Sequence, residues 1–293
     1  MVNWTTYKAL KPEKPIETLA RRNPAFYSQY VGEEDEFGFD LETFAFWEHV
    51  FRYFYEDYFK VTFDGIDNIP SEGRAIICGN HSGLLPADGA MLVIAICNLH
   101  PSPRRLRFLA TDWFFTVPGL REWAQKTGQV RATLENAETL LSRNELIGIY
   151  PEGIRGVGKT FRERYRVHDF HPGFVKLAIA TQTPLVPVAT VGGDEIFPNF
   201  VNNKTFGQLL RMPYFPTTLT FPWLPFPMPF FPLPVRWMMK IHKPINLGYP
   251  PEKATDRKLV LRIAREIQYL IQRDLNDLLR QRKSLFSGWD EED

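Results

Sequence analysis

Residues 75–97 read AIICGNHSGLLPADGAMLVIAIC, in which a polar loop separates two apolar runs. The first run, 75–78, is short and predicts a buried strand, whereas 88–97 predicts a helix with Asp88 in its first turn. His81 therefore lies where a strand ends, and a carboxylate follows one loop later. An imidazole that a carboxylate orients can take a proton from a hydroxyl near neutral pH. The pattern predicts a general base in this loop.

The rest of the chain repeats the alternation of short apolar runs with helical patterns. The predicted strands are 61–63, 106–110, 146–150, 185–191 and 235–241, and the predicted helices are 133–141, 173–181 and 255–283. Such alternation predicts a layered α/β domain with a mostly parallel or mixed sheet flanked by helices. Pro187 cannot donate a ladder hydrogen bond, so it predicts that 185–191 is an edge strand or that the proline lies at a strand end.

The N-terminal part of the chain has a different character. Residues 1–40 are mostly polar and predict irregular structure, with the acidic run 33–36 as a solvated loop. From 41 to 60 aromatic residues recur at helical spacing and predict an amphipathic helix. This helix either packs on the core or lies at a membrane interface. We therefore expect an N-terminal segment of residues 1–60 and a main domain of residues 61–293.

Composition bounds the class of protein. The chain has 293 residues, 44% of them hydrophobic, which suffices for a sizeable core. A formal net charge of +1 does not indicate a nucleic-acid partner. The apolar run 90–97 is far shorter than the roughly 20 residues of a membrane-spanning helix, and residues 1–15 show no secretory signal. Cys78 and Cys97 lie in apolar runs and predict buried thiols in a reducing compartment, although two cysteines also permit a disulfide.

The segment 214–234 concentrates proline and phenylalanine, of which the chain has 24 each. Proline recurs too often there for a helix. The segment is also too apolar for an ordinary solvated linker. It is either a loop folded over the core or an apolar surface that meets a membrane interface or covers a lipid tunnel.

Three further motifs follow the loop of His81 in order: GQVR at 128–131, YPEG at 150–153 and PLVPV at 184–188. Together with Asn80, His81 and Asp88 they resemble the ordered blocks of the phospholipid/glycerol acyltransferase family. These are membrane-associated enzymes that esterify glycerol phosphates and lysophospholipids. The resemblance covers about residues 61–245, including the family's lead-in at 65–70, and implies a glycerolipid acyltransferase-like fold.

The resemblance implies a role for each matching residue. His81 would be the general base and Asp88 would orient its ring, while Arg131 would hold a phosphate or another anionic group. The substrate-binding set is completed by Glu152, Gly153 and Arg155, of which Glu152 and Gly153 would line the acceptor pocket. The donor would be acyl-CoA or an acyl carrier protein, and the acceptor a lipid alcohol. No metal or organic cofactor is implied, and we expect a peripheral protein on the cytoplasmic face of a membrane.

Two departures from the family pattern leave more than one function open. Six residues separate His81 from Asp88 where the family has four, which resembles the longer loop of a divergent branch that makes neutral lipid esters. The third block reads EGIRG at 152–156 where the family usually has Glu-Gly-Thr-Arg-Ser. Two alternatives remain open at this point. The same His–Asp pair could serve a thioesterase or lipid hydrolase, or the chain could be a non-catalytic lipid-binding protein.

Overall fold

A computed structural model of the chain describes residues 14–33, 35–83, 87–209, 215–225, 228 and 231–289, without the side chains of residues 204, 206 and 208. Residues 84–86 of the lengthened loop lie outside this range. So do residues 1–13 and Glu34, and residues 214, 226–227 and 229–230 of the proline- and phenylalanine-rich segment.

A central sheet organises the described residues. The strands are β1 Thr62–Asp64, β2 Ala75–Gly79, β3 Leu106–Ala110, β4 Val130–Arg131, β5 Leu146–Ile149, β6 Leu185–Val191, β7 Asn199–Asn203, β8 Phe215–Thr218 and β9 Met238–Ile241. In the part that the structure describes, seven of them form one sheet in the order β1-β9-β6-β2-β5-β3-β4, and β7 pairs with β8 separately. Every neighbouring pair in the large sheet is parallel except β6 with β9. The prediction of a mostly parallel sheet is confirmed.

Helices cover both faces of this sheet. They are α1 Pro15–Arg22, α2 Pro24–Tyr30, α3 Leu41–Tyr53, α4 Ala87–Asn98, α5 Asp112–Thr116, α6 Leu120–Lys126, α7 Leu134–Ser142, α8 Ile154–Val157, α9 Gly173–Thr181, α10 Lys204–Leu209 and α11 Arg257–Gln281. Side chains of α3 and α4 share one hydrophobic cluster with one face of the sheet. Side chains of α7, α9 and α11 share a second cluster with the other face.

The strand β2 shows why a continuous apolar run is needed here. Ile77 points into the cluster with α3 and α4, whereas Ile76 and Cys78 point into the cluster with α7, α9 and α11. All five residues of the strand are buried. A strand between two parallel neighbours, with helices on both faces, has no solvated side and therefore reads as uniformly apolar.

The helices α7 and α11 begin at residues whose side chains cap the first turn. The Thr133 side chain accepts a hydrogen bond from the Asn136 amide at 3.2 Å and begins α7. The Asp256 side chain accepts one from the Leu259 amide at 3.1 Å and begins α11. Both residue types satisfy amides that lack a partner in the first turn of a helix.

The prediction from Pro187 was wrong, because β6 lies between β9 and β2 near the centre of the sheet. The sheet tolerates this proline because the antiparallel pairing changes register around it, between the Leu185–Ile245 bridge and the Val188–Ile241 pair. The Pro187 carbonyl still accepts a hydrogen bond from the His242 amide at 2.9 Å. A proline is accommodated where the ladder is locally irregular.

The prediction of irregular structure was wrong for residues 15–30, which form α1 and α2. The Asn23 side chain accepts a hydrogen bond from the Phe26 amide at 3.0 Å, and Pro24 occupies the first position of α2. Leu19 and Phe26 are buried in the cluster that also contains residues of α3 and α4. These few apolar side chains stabilise helices whose sequences are otherwise polar.

The prediction of a solvated loop at 33–36 was wrong for Asp35, whereas the side chains of Glu33 and Glu36 are exposed at 36% and 52%. Asp35 is buried and forms an ion pair with Arg107, whose side chain is fully buried. Burial alone would raise the pKa of Asp35, but the hydrogen bonds and charges of Arg107 and Arg105 outweigh it and hold that pKa below its ordinary value. Glu33 adds a bond to Arg105 at 2.8 Å. The run therefore fastens the N-terminal helices to the sheet at β3.

The aromatic residues at 41–60 serve mainly as packing. The helix α3 continues into a π-helical turn, Phe54–Tyr58. Phe44, Tyr55 and Phe59 are buried in the core. Phe46 and Tyr53 are exposed on the opposite side, at 50% and 56%. The helix is amphipathic as predicted, with its more apolar face against the sheet layer.

Both cysteines are free and buried, as predicted, and burial raises the pKa of each thiol. Among the residues that the structure describes, no helix combines the length and apolar character needed to cross a bilayer.

The Asp35–Arg107 pair yields a stability prediction. We expect Asp35→Ala to lower the free energy of unfolding by about 3–5 kcal/mol, because it removes the carboxylate that hydrogen-bonds a buried guanidinium and leaves, among the described residues, only Glu145, 3.7 Å from Arg107 Nε. Glu36→Ala is the matched control, since Glu36 pairs with Arg143 where both side chains are about half exposed. That change should cost under about 1 kcal/mol. Urea denaturation of the two variants measures the difference, and equal losses would contradict the anchoring role of Asp35.

Candidate active site

The candidate site lies at the edge of the sheet where the parallel strands end. His81 follows β2, Tyr150 follows β5, and Asp194 follows β6. Because β2 is parallel to both neighbours, the three loops leave the sheet on the same side. Ligand sites in open α/β sheets form at this edge.

His81 and Asp88 converge despite the lengthened loop. His81 Nδ1 lies 2.8 Å from Asp88 Oδ2. The same carboxylate accepts hydrogen bonds from the Ser82 and Gly89 amides, each at 2.8 Å, and is fully buried at the start of α4. An ionised carboxylate only accepts hydrogen bonds, so Nδ1 carries the hydrogen and Nε2 keeps a free lone pair. The His81 side chain is 12% exposed, and Nε2 has no hydrogen bond to a described residue.

Asn80 explains how the chain reaches this position. Its side-chain amide donates to the Thr190 carbonyl at 3.0 Å, and its side-chain oxygen accepts from the Thr190 amide at 2.8 Å. The side chain thus continues the hydrogen bonding of β2 with β6 after the strand has ended. This frees the main chain to turn, so that His81 leaves the sheet at a defined point.

The faces of the His81 ring are also held. The ring stacks on Tyr150 with centroids 4.2 Å apart and planes 6° apart, and Tyr150 stacks on Phe108 at 5.0 Å. Gly148 leaves room for Phe108, because a Cβ there would lie 2.5 Å from that ring. Tyr150 is partly buried, and desolvation together with the charge of Asp88 raises the pKa of its hydroxyl. One side of the imidazole is therefore dry and aromatic.

Glu152 holds the main chain of His81. Its Oε1 accepts the His81 amide at 2.9 Å, and its Oε2 accepts the His168 amide at 2.8 Å. The Lys159 ammonium lies 3.1 and 3.0 Å from the two oxygens and also donates to the His81 carbonyl at 3.0 Å. Both side chains are buried, at 0% and 2% exposure for Glu152 and Lys159. The Glu152 carboxylate thus lies behind His81 and has no exposed surface with which to line an acceptor pocket.

The loop after Glu152 depends on two glycines. Gly153 has φ +57° and ψ −143°, a backbone conformation that favours glycine. Gly156 packs against His81: a Cβ at this position would lie 2.6 Å from the His81 Cβ and 3.2 Å from its carbonyl oxygen. The departure from the family's usual serine therefore coincides with a close approach of this loop to His81.

Asp194 holds the start of the lengthened loop. Its Oδ1 accepts the Gly83 amide at 2.9 Å, and its Oδ2 accepts the Tyr165 amide at 2.8 Å. Burial raises the pKa of this carboxyl, although the Lys159 charge and the two amides act in the opposite direction. Ser82, between His81 and Gly83, is fully buried, so its hydroxyl is not accessible to a substrate.

The two predicted arginines lie further out. Arg131 ends β4, three strands from β2, or roughly 14 Å at the usual strand spacing. It pairs with Asp112 at 2.5 Å, and both side chains are more than half exposed. The hydrogen bond from Arg131 lowers the pKa of Asp112. Arg155 is exposed and makes no ion pair with a described residue. Arg155 lies in α8, and neither arginine forms a hydrogen bond or ion pair with His81.

Lys159 and Asp194 were missed by the sequence reasoning. Lys159 follows a glycine-rich loop, and nothing in its spacing indicates that the loop folds back beneath His81. Asp194 lies in a Gly-Gly-Asp turn after β6, where the only signal was its place at the end of a predicted strand. The residues that the structure describes contain no cluster of three or more His, Cys, Asp or Glu side chains suited to a metal ion.

The sequence of the chain matches a family model and several known proteins. The sequence model named Acyltransferase matches residues 60–191. An uncharacterised protein of Mycobacterium tuberculosis H37Rv is 38% identical over 257 residues, which are 87% of this chain and 72% of that protein. An uncharacterised protein of Mycobacterium leprae is 38% identical over 285 residues, covering 94% of this chain and 77% of that protein.

Two more distant similarities are informative. A protein of Bos taurus named "DGAT1/2-independent enzyme synthesizing storage lipids" is 27% identical over 161 residues, covering 54% of this chain and 47% of that protein. The crystal structure of the 1-acyl-sn-glycerophosphate acyltransferase PlsC from Thermotoga maritima has a TM-score of 0.54 and 17% identity, covering 92% of this chain and 95% of that chain. The latter shows a shared fold. With the ordered motifs and the matched sequence model, these similarities show that the chain belongs to the phospholipid/glycerol acyltransferase family.

Proposed function

We propose that the chain transfers a fatty acyl group from acyl-CoA or an acyl carrier protein to the hydroxyl of a glycerolipid or related lipid alcohol. Family membership supports O-acyl transfer to a lipid in general. The observation that carries the finer proposal is the contact between His81 and Asp88, which leaves Nε2 as the basic nitrogen at the exposed side of the ring. A base so oriented is suited to activating an alcohol.

The proposed reaction needs no nucleophile from the protein. His81 Nε2 takes the proton of the acceptor hydroxyl as that oxygen attacks the thioester carbonyl carbon. The tetrahedral intermediate then collapses, the carbon–sulfur bond breaks, and the departing thiolate recovers the proton from Nε2. An ester and a free thiol result. Because a thioester is already activated, the buried hydroxyl of Ser82 has no part in the step.

Asp88 and the buried pair behind His81 would supply orientation. Asp88 holds Nδ1–H and stabilises the imidazolium that exists while Nε2 carries the acceptor proton. Glu152 and Lys159 hold the amide and the carbonyl of His81, so that ring and main chain are both constrained. In this proposal Glu152 is a positioning residue, and Arg131 and Arg155 meet anionic parts of the substrates at the same edge.

A peripheral contact with a membrane would bring lipid substrates to this edge. Among the described residues, the large apolar side chains near β7 and β8 that are more than half exposed include Phe200, Val201, Leu219, Trp223 and Phe231. We call these five side chains the apolar patch. The Asn199 side chain of β7 donates to the Lys159 carbonyl at 3.2 Å, which ties this region to the loop beneath His81. Exposed apolar surface of this extent is typical of membrane or partner contacts.

The first test concerns the base. We expect His81→Ala and Asp88→Asn to lower kcat for ester formation by about 10²–10⁴-fold, because a positioned base contributes that much. The measurement supplies labelled acyl-CoA with a panel of lysophospholipids, diacylglycerol and fatty alcohols, and separates ester from free fatty acid. His49→Ala is the control, since His49 is an exposed residue of α3. Free fatty acid as the sole product would instead indicate a hydrolase, and unchanged ester formation in His81→Ala would refute the mechanism.

The second test separates positioning from acceptor binding at Glu152. We expect Glu152→Gln and Lys159→Met each to cost about 3–5 kcal/mol of folding stability, because each leaves a buried charge without its partner. The double variant should recover part of that loss. Thermal unfolding and steady-state kinetics measure both effects. A Glu152→Gln variant of unchanged stability but raised KM for the acceptor would show direct substrate contact instead.

The third test concerns the apolar patch. We expect Leu219→Ser with Trp223→Ser to weaken binding to phospholipid vesicles at least about tenfold, since burying one such side chain contributes about 1.5–3 kcal/mol. Tyr269→Ser is the control, because Tyr269 is 72% exposed on α11, away from β7 and β8. Vesicle co-sedimentation gives the comparison, and equal binding by all three proteins would exclude this patch as the contact.

A further inference from the structure

A basic cavity lies beside the candidate site, between α11 and the loop that follows α8. Its volume is about 490 Å³. Arg164, Arg166 and Arg282 line it together with Glu195. Three guanidinium groups against one carboxylate leave a formal charge of +2 on the lining. The motifs that support the family resemblance include none of these residues.

One arginine is fixed as a wall of the cavity. Arg282 donates to both oxygens of Glu195, at 2.6 and 2.7 Å, and both side chains are largely buried. The Arg282 guanidinium also lies 3.4 Å from the Tyr165 hydroxyl. Glu195 also lies 3.8 Å from Arg164 Nε, so one carboxylate is shared by two of the three arginines of the lining.

The other two arginines have N–H groups that donate to no described residue. Arg164 stacks on Phe161 at 4.3 Å and donates one hydrogen bond to its carbonyl at 2.9 Å, and its Nε lies 3.8 Å from Glu195. The Arg166 guanidinium makes no hydrogen bond or ion pair with any residue that the structure describes. Two exposed guanidinium groups on one concave surface can bind a phosphate in a bidentate manner.

The cavity is linked to the catalytic loop through one residue. Asp194 accepts the Tyr165 amide at the cavity and the Gly83 amide two residues after His81. Asp194 therefore joins the lining of the cavity to the loop of His81. In a thioester donor the phosphates are likewise joined to the reacting carbonyl through a flexible arm.

We propose that this cavity binds a phosphate group of a substrate through Arg164 and Arg166. The proposal deepens the proposed function and rests on it for the identity of the substrates. Two sources share this chemistry: the nucleotide phosphates of coenzyme A and the headgroup of a phosphorylated lipid acceptor. Binding through guanidinium groups at the surface weakens as salt screens the charges.

Calorimetric titration of the full chain with coenzyme A and, separately, with glycerol 3-phosphate tests this at low salt. We expect Arg166→Gln to raise the Kd of one ligand about tenfold, as expected for loss of one charge-assisted hydrogen bond, and the double change with Arg164→Gln to raise it further. Arg162→Gln is the matched control: Arg162 lies on the short helix Phe161–Glu163 just before the cavity and does not line it. It should leave both Kd values within about twofold of the original.

The outcomes separate the sources and the two proposals. A loss confined to coenzyme A assigns the cavity to the donor, and a loss confined to glycerol 3-phosphate assigns it to the acceptor headgroup. Equal binding by the Arg164/Arg166 double variant and the Arg162 control would overturn the proposal, as would the absence of binding to the unmodified chain. His81→Ala should bind as the unmodified chain does. A chain that binds coenzyme A through Arg166 but forms no ester would refute the proposed function and leave this site standing.

Discussion

The buried carboxylate of Glu152 is the constraint on which the rest of the site depends. It accepts hydrogen bonds from the His81 and His168 amides and pairs with the Lys159 ammonium, which in turn donates to the His81 carbonyl. Three separate loops thus meet on one charge pair. Such a pair is costly to desolvate and tolerates no missing partner, so it contributes to a defined geometry more than to stability. The main chain that carries His81 therefore cannot shift without breaking the hydrogen bonds of this buried charge pair.

The side chain of His81 is also held by several contacts. Asp88 holds one nitrogen, Tyr150 covers one face, and Gly156 allows the adjacent loop to approach closely. The longer spacing between His81 and Asp88 does not separate them, because the start of the loop is held by the Ser82 amide on Asp88 and the Gly83 amide on Asp194. The position of His81 relative to Asp88 thus depends more on these two hydrogen bonds than on the number of residues between them.

Two surfaces of opposite character flank this centre. The apolar patch near β7 and β8 is tied to the loop beneath His81 through Asn199, and the basic cavity is tied to the loop after His81 through Asp194. A lipid with an acyl chain and a substrate with phosphate groups have the same division of chemistry. The site therefore lies where an apolar and a charged environment meet, which supports the proposed transfer from a thioester to a lipid alcohol.

Much of the architecture was determined locally by the sequence. The apolar runs of β2, β5 and β6, the caps of α7 and α11, and the His81–Asp88 motif all follow from periodicity, capping chemistry and family resemblance, which act over short stretches of chain. Only the tertiary structure decided the rest. It placed Pro187 at a register change inside the sheet, buried Asp35 against Arg107, and brought Lys159 and Asp194 to the loop of His81. Those contacts join residues far apart in the chain, and the free energy of a buried charge depends on partners that no local pattern records.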